Sequence, residues 1–147
     1  MVNPWDKSVS WLACTGGPLL DRIDIHIEVP AVPFEELSNG PPGTSSGQMR
    51  EQVTMAREIQ RQRFINSRTR TNAQMTSREL REWCPLGKIQ TQRMRAAVSE
   101  MGLSARAHDK IIRVARTIAD LEQSNDIEPH HIEEAINFRM LDRDIWR

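Results

Sequence analysis

The chain has 147 residues, 38% hydrophobic and 27% charged, enough for one domain with a modest core and a tail. Its formal net charge is zero, which excludes a basic field over the whole surface; any nucleic-acid contact has to be local. No apolar run approaches the ~18 residues of a membrane span, and MVNPWDKSVSW lacks the features of a secretory signal.

Residues 1–17 show no periodicity. Trp5 and Trp11 lie among small and polar residues, and Gly16-Gly17-Pro18 breaks the chain, so this part reads as a poorly ordered lead-in. Ile23-Asp24-Ile25-His26-Ile27-Glu28-Val29 then alternates with period two. Its apolar residues fall on one face and Asp24, His26 and Glu28 on the other, which predicts a single strand. One strand cannot satisfy its own backbone groups, so its sheet has to be supplied from elsewhere. Pro30, Pro33, Gly40-Pro41-Pro42-Gly43 and Gly47, with Ser45 and Ser46, mark a linker.

From residue 48 the pattern is helical. Ser45 and Gln48 have capping-box spacing, and Met49, Val53, Ala56, Gln60 and Phe64 recur at three and four, predicting a helix to about residue 67. A short helix from a Ser77 cap carries Leu80 and Trp83 and stops at Cys84-Pro85. A third covers roughly 89–101 and ends at Gly102. The fourth starts at a Ser104 cap and bears Ile111, Ile112, Val114, Ala115, Ile118, Ala119 and Leu121. The fifth follows Pro129 with Ile132, Ala135, Ile136 and Leu141. The expected fold is all-α, a bundle of four to five helices over 48–147, preceded by a strand and linker over 18–47.

No GxxxxGK[ST] phosphate loop is present, so the chain is not a self-sufficient P-loop NTPase. No local Ser-His-Asp or Cys-His signature points to a hydrolase. Cys14 and Cys84 lack motif spacing and read as free thiols in a reducing, cytoplasmic setting. His130-His131 with Glu134 matches no standard metal spacing, so no metal is expected.

Several arginines carry two readings each. Arg22 follows apolar Leu19-Leu20 at the strand start. It is either a rigidly held phosphate contact for a neighbouring molecule or a partner of Asp21 or Asp24. Arg106 lies in the first turn of the fourth helix, where a cation opposes the dipole. It either makes a phosphate site with the helix N–H groups or pairs with Asp109 or solvent. Arg57, Arg61, Arg63, Arg68 and Arg70 form a locally basic run. This is either a nucleic-acid backbone contact or a solvated face.

Three stretches carry a resemblance. GPLLDRIDIHIEVPAVPFEEL (Gly17–Leu37) resembles the end of the AAA+ core in ComM/YifB-type relatives of the magnesium-chelatase ATPase subunit. GLSARAHDKIIRVARTIADLE (Gly102–Glu122) resembles that family's sensor-2 helix, and HIEEAINFRMLDR (His131–Arg143) its final helix. MREQVTMAREIQRQRF (Met49–Phe64) also fits. The resemblance implies an AAA+ lid domain, with Arg22 as an arginine finger and Arg106 as sensor 2. It implies ATP and Mg²⁺ in the parent protein, a missing AAA+ core, and neighbouring subunits in a homo-oligomeric, hexameric ring. DNA remodelling is implied for the parent, in branch migration and the uptake of transforming DNA. The Walker segments and Lon-like domain are missing, and residues 1–16 do not match what should precede GPLLDR. The chain alone is therefore expected neither to hydrolyse nor to bind ATP tightly. The alternative reading is a small helical module that binds DNA through the Arg57–Arg70 run, or one that binds protein.

Overall fold

The computed structural model describes residues 22–27, 29–33, 40 and 43–139, which include five α-helices. Helix α1 spans Ser46–Arg63, α2 Ser77–Trp83, α3 Lys88–Met101, α4 Ala105–Leu121 and α5 Pro129–Asn137, with a 3-10 turn at Asn72–Gln74. The expected lead-in, Cys14 and Leu141 lie outside the described residues. No helix among them is long and apolar enough to cross a membrane.

Local chemistry accounts for the helix ends. At α1 the Ser45 hydroxyl accepts from the Gln48 N–H, while the Gln48 side chain accepts from the Ser45 N–H at 2.9 Å. The same box starts α2, but the cap is Thr76 with Glu79, one residue before the expected Ser77. Thr76 wins because Glu79 then stands at the third helical position and can reach back to the cap N–H. The hydrogen bond from the Thr76 N–H, with others from the Ser67 and Thr69 hydroxyls, holds the pKa of that carboxylate down at about 2. α3 ends at Gly102, whose φ of +64° is the left-handed conformation that glycine adopts without a Cβ penalty. Helix α1 stops at Arg63, short of the expected residue 67, and Phe64 turns inward at its end.

α4 is the central helix. Ile111, Ala115 and Ala119 are fully buried, joined by Ala107, Ile112 and Ile118 on the same broad face. α5 packs Ile132 and Ala135 against it, α3 adds Met94, Ala97 and Met101, and α2 adds Leu80. Burying one such Ile side chain contributes roughly 1.5–3 kcal/mol. Cys84 is a free thiol within this core, and burial pushes its pKa up to about 11.

The predicted apolar stripe of α1 is only half used. Ala56, Gln60 and Phe64 are buried, whereas Met49 and Val53 are exposed because α1 outruns the bundle. The core also holds a polar knot. Asp120, fully buried, accepts from Arg63 at 2.5 and 2.8 Å, from Arg116 at 3.0 Å and from Asn72 at 2.7 Å. Arg116 also donates to the carbonyls of Ser124 and Asn125, which fixes the turn between α4 and α5.

The described residues of the strand expected over 23–29, which leave out Glu28, form no ladder within this chain. Among the described residues there is no second strand, and His26 meets the end of the bundle. The His26 N–H donates to the Phe138 carbonyl at 2.8 Å. The apolar face is not buried here: Ile23, Ile25, Ile27 and Val29 are exposed, and of the polar face Asp24 is exposed and His26 buried.

Candidate anion-binding groove

One face of α4 carries Arg106, Lys110, Arg113, Thr117 and Leu121, spaced three and four apart and so stacked along the helix. This face floors an open groove of about 640 Å³. Arg22, Asp24 and Ile25 also line it, with Glu134 and Phe138 from the α5 end and Ala73 of the 3-10 turn. Arg22 and Arg106, singled out separately in the sequence, line the same groove.

Its lining is amphipathic. Val114, Ile118, Leu121 and Phe138 are apolar, and Arg22, Arg106, Lys110 and Arg113 outnumber the carboxylates of Asp24 and Glu134. Arg113 is fixed, since Nε and Nη2 both donate to the Met75 carbonyl, at 3.2 and 2.8 Å. Lys110 pairs with Asp24 at 2.8 Å, so one of the two acids suggested as partners for Arg22 is engaged by Lys110, while the other, Asp21, lies outside the described residues. Asp109, the alternative partner for Arg106, faces His108 at 3.2 Å and Ser77 at 3.5 Å. Arg106 sits on the first turn of α4, where the Ser104 hydroxyl caps the Ala107 N–H at 3.1 Å and the turn has no acidic residue. A helix N-terminus with an adjacent guanidinium is suited to phosphate oxygens.

The basic run divides. Arg57, Arg61 and Arg68 are exposed, and Arg61 pairs with Glu58. Arg63 does not join them as a surface contact, because its side chain is 10% exposed and committed to Asp120. No local pattern shows this, as the partner lies 57 residues away.

His130 and His131 turn to Glu122 rather than to Glu134. Glu122 Oε2 lies 3.0 Å from His130 Nε2 and 3.1 Å from His131 Nε2. These three groups lie within 4.8 Å of one another, a spacing that could hold a metal ion, and here they are joined by hydrogen bonds. His131 Nδ1 accepts from the Glu128 N–H at 2.8 Å, so the neutral ring carries its proton on Nε2 and donates to Glu122. The hydrogen bond to Glu122 raises the pKa of His130, and those to His130 and His131 lower that of Glu122. The raised histidine stabilises the fold below its ordinary value, and this contribution is lost as pH rises through its folded pKa. The lowered glutamate stabilises above its ordinary value, and this is lost as pH falls through its own folded pKa. Both act together between about pH 4.5 and 6.5. The urea midpoint difference between wild type and His130→Ala should therefore be larger at pH 5.5 than at pH 8.5. A difference that does not change with pH would show that the pair does not couple to folding.

Comparison with known proteins gives this fold a setting. Residues 43–139 match the family described as Magnesium chelatase, subunit ChlI C-terminal. The chain is 36% identical to YifB of Escherichia coli (strain K12), over 94% of the chain and 27% of that protein. It is 40% identical to the Competence protein ComM of Haemophilus influenzae, over 86% of the chain and 24% of that protein. A Mycobacterium bovis protein is 31% identical over 88% of the chain and 25% of its own length. The chain thus spans about a quarter of the curated relatives it matches.

Proposed function

This chain belongs to the magnesium chelatase ChlI C-terminal family, a lid-like domain of magnesium-chelatase-related proteins, and from that premise we propose that it senses nucleotide for an ATP-driven ring. Arg106, on the capped first turn of α4 and facing the cationic groove, is the observation that carries the reading. It acts as sensor 2, contacting the phosphates of ATP held by a separate core module, so that α4 moves when nucleotide comes or goes. Arg22 acts as the finger, contributing positive charge to the γ-phosphate of the neighbouring subunit in the transition state.

The described residues fit only part of an ATP·Mg²⁺ site. They offer cations for phosphate, but Asp24 is paired with Lys110, and no cluster of free carboxylates stands in the groove to hold Mg²⁺. The metal and most phosphate contacts belong to the core module, so this chain supplies sensing and coupling rather than hydrolysis. The name of the Haemophilus relative links that protein to competence, in keeping with a motor acting on DNA. Exposed Arg57, Arg61 and Arg68 are then the local cations available to a phosphate backbone.

The test is Arg106→Ala in the longer ATPase. One charge-assisted hydrogen bond contributes about 1.5–3 kcal/mol, so hydrolysis should fall roughly tenfold to a hundredfold with the helical fold unchanged. Full activity would reduce Arg106 to a surface residue and leave this domain a binding module.

A further inference from the structure

We propose that Lys110 is a positioning residue, clamping the segment that carries Arg22 onto the helix that carries Arg106. This deepens, and rests on, the reading of Arg22 as a phosphate contact. The Lys110 ammonium lies 2.8 Å from Asp24 Oδ1 and donates to the Ile23 carbonyl at 3.3 Å. The buried Arg139 guanidinium donates to the same carbonyl. The His26 N–H donates to the Phe138 carbonyl at 2.8 Å. Residues 23–26 are thus tied at three positions, by α4 and by the residues that follow α5.

Geometry makes the tie directional. Lys110 is one helical turn after Arg106, so both project from the same face of α4. Asp24 is two residues after Arg22. A movement of α4 that follows phosphate binding at Arg106 pulls on Asp24 and hence on Arg22. The Lys110 side chain is only 15% exposed and meets two acceptors, unlike an ordinary surface ion pair held by one long, solvated contact. Sensing in one subunit and the charge offered to the next are thereby joined through a single lysine.

The clamp is tested on the 147-residue chain without nucleotide, by amide exchange at His26. Lys110→Met and, from the exposed side of the pair, Asp24→Asn should each speed that exchange roughly tenfold or more, while the Ile111 and Ala115 amides keep their protection. Lys110→Arg should restore slow exchange. Wild-type exchange at His26 in both variants would overturn the clamp. In the longer ATPase, Lys110→Met should lower kcat with KM for ATP unchanged, as Arg22→Ala should. If Arg22→Ala lowers kcat and Lys110→Met does not, the positioning role is overturned. If exchange shows the clamp while Arg22→Ala keeps full kcat, the phosphate-contact reading is what fails.

Discussion

Asp120→Ala is expected to remove about 3–5 kcal/mol from the stability of the bundle, seen as a large fall in the urea midpoint. The carboxylate is fully buried and is the one anion that Arg63 and Arg116 share. Without it Arg63 keeps the Asn72 side chain at 2.9 Å, and Arg116 keeps the carbonyls of Ser124 and Asn125. Neither cation keeps a counter-charge, and an unpaired buried charge costs far more than the pair contributes. Since domains are stable by about 5–15 kcal/mol, this variant stands near its unfolding limit. Replacing all three residues by apolar ones of similar volume should recover most of the loss, because no charge is then stranded. A cost for Asp120→Ala under about 1 kcal/mol would show that the knot is not dry.

The second large effect is Phe64→Ala, expected to cost about 3–5 kcal/mol. Phe64 is 2% exposed and is the only large apolar side chain that the end of α1 sends into the core. Ala56 is small, Gln60 is polar and Ile59 is only half-buried, so Phe64 supplies most of the apolar burial at this end of α1. Phe64→Leu should cost much less, since most of the volume remains. Equal costs for the two would mean that the site collapses around the smaller residue. The Arg63 guanidinium stands 5.9 Å from the Phe64 ring centroid. Phe64→Ala and Asp120→Ala should therefore combine non-additively in a double-mutant cycle.

What was legible in the sequence was local. The Ser45–Gln48 box, the stop at Cys84-Pro85, the left-handed Gly102 and the apolar spacing of α4 each depend on residues within a turn or two, and each stands in the structure. What failed depended on partners far along the chain. Arg63 reads as surface charge until Asp120 is brought to it, and Met49 and Val53 read as core until α1 proves longer than the bundle that supports it. The alternation over 23–29 is a true period-two signal that needs a neighbouring strand, and among the described residues none stands beside it. The groove itself was half visible. Arg22 and Arg106 were identified by residue type and position, but only folding places them together, and Lys110 and Arg113 gave no signal beyond ordinary helical charge.

Among the described residues, helix α1 is held by burial at one end only. Residues 46–55 are all exposed, and the capping box at Ser45 is the main hold on the free end. A stretch of about ten residues is too short to stay helical alone in water, so its order is propagated from the buried turn at Ala56–Phe64. Opening should then progress along the helix as a zipper, starting from Ser46, at a free energy well below that of global unfolding. The weakest backbone of the bundle would then lie inside its longest helix rather than in a loop.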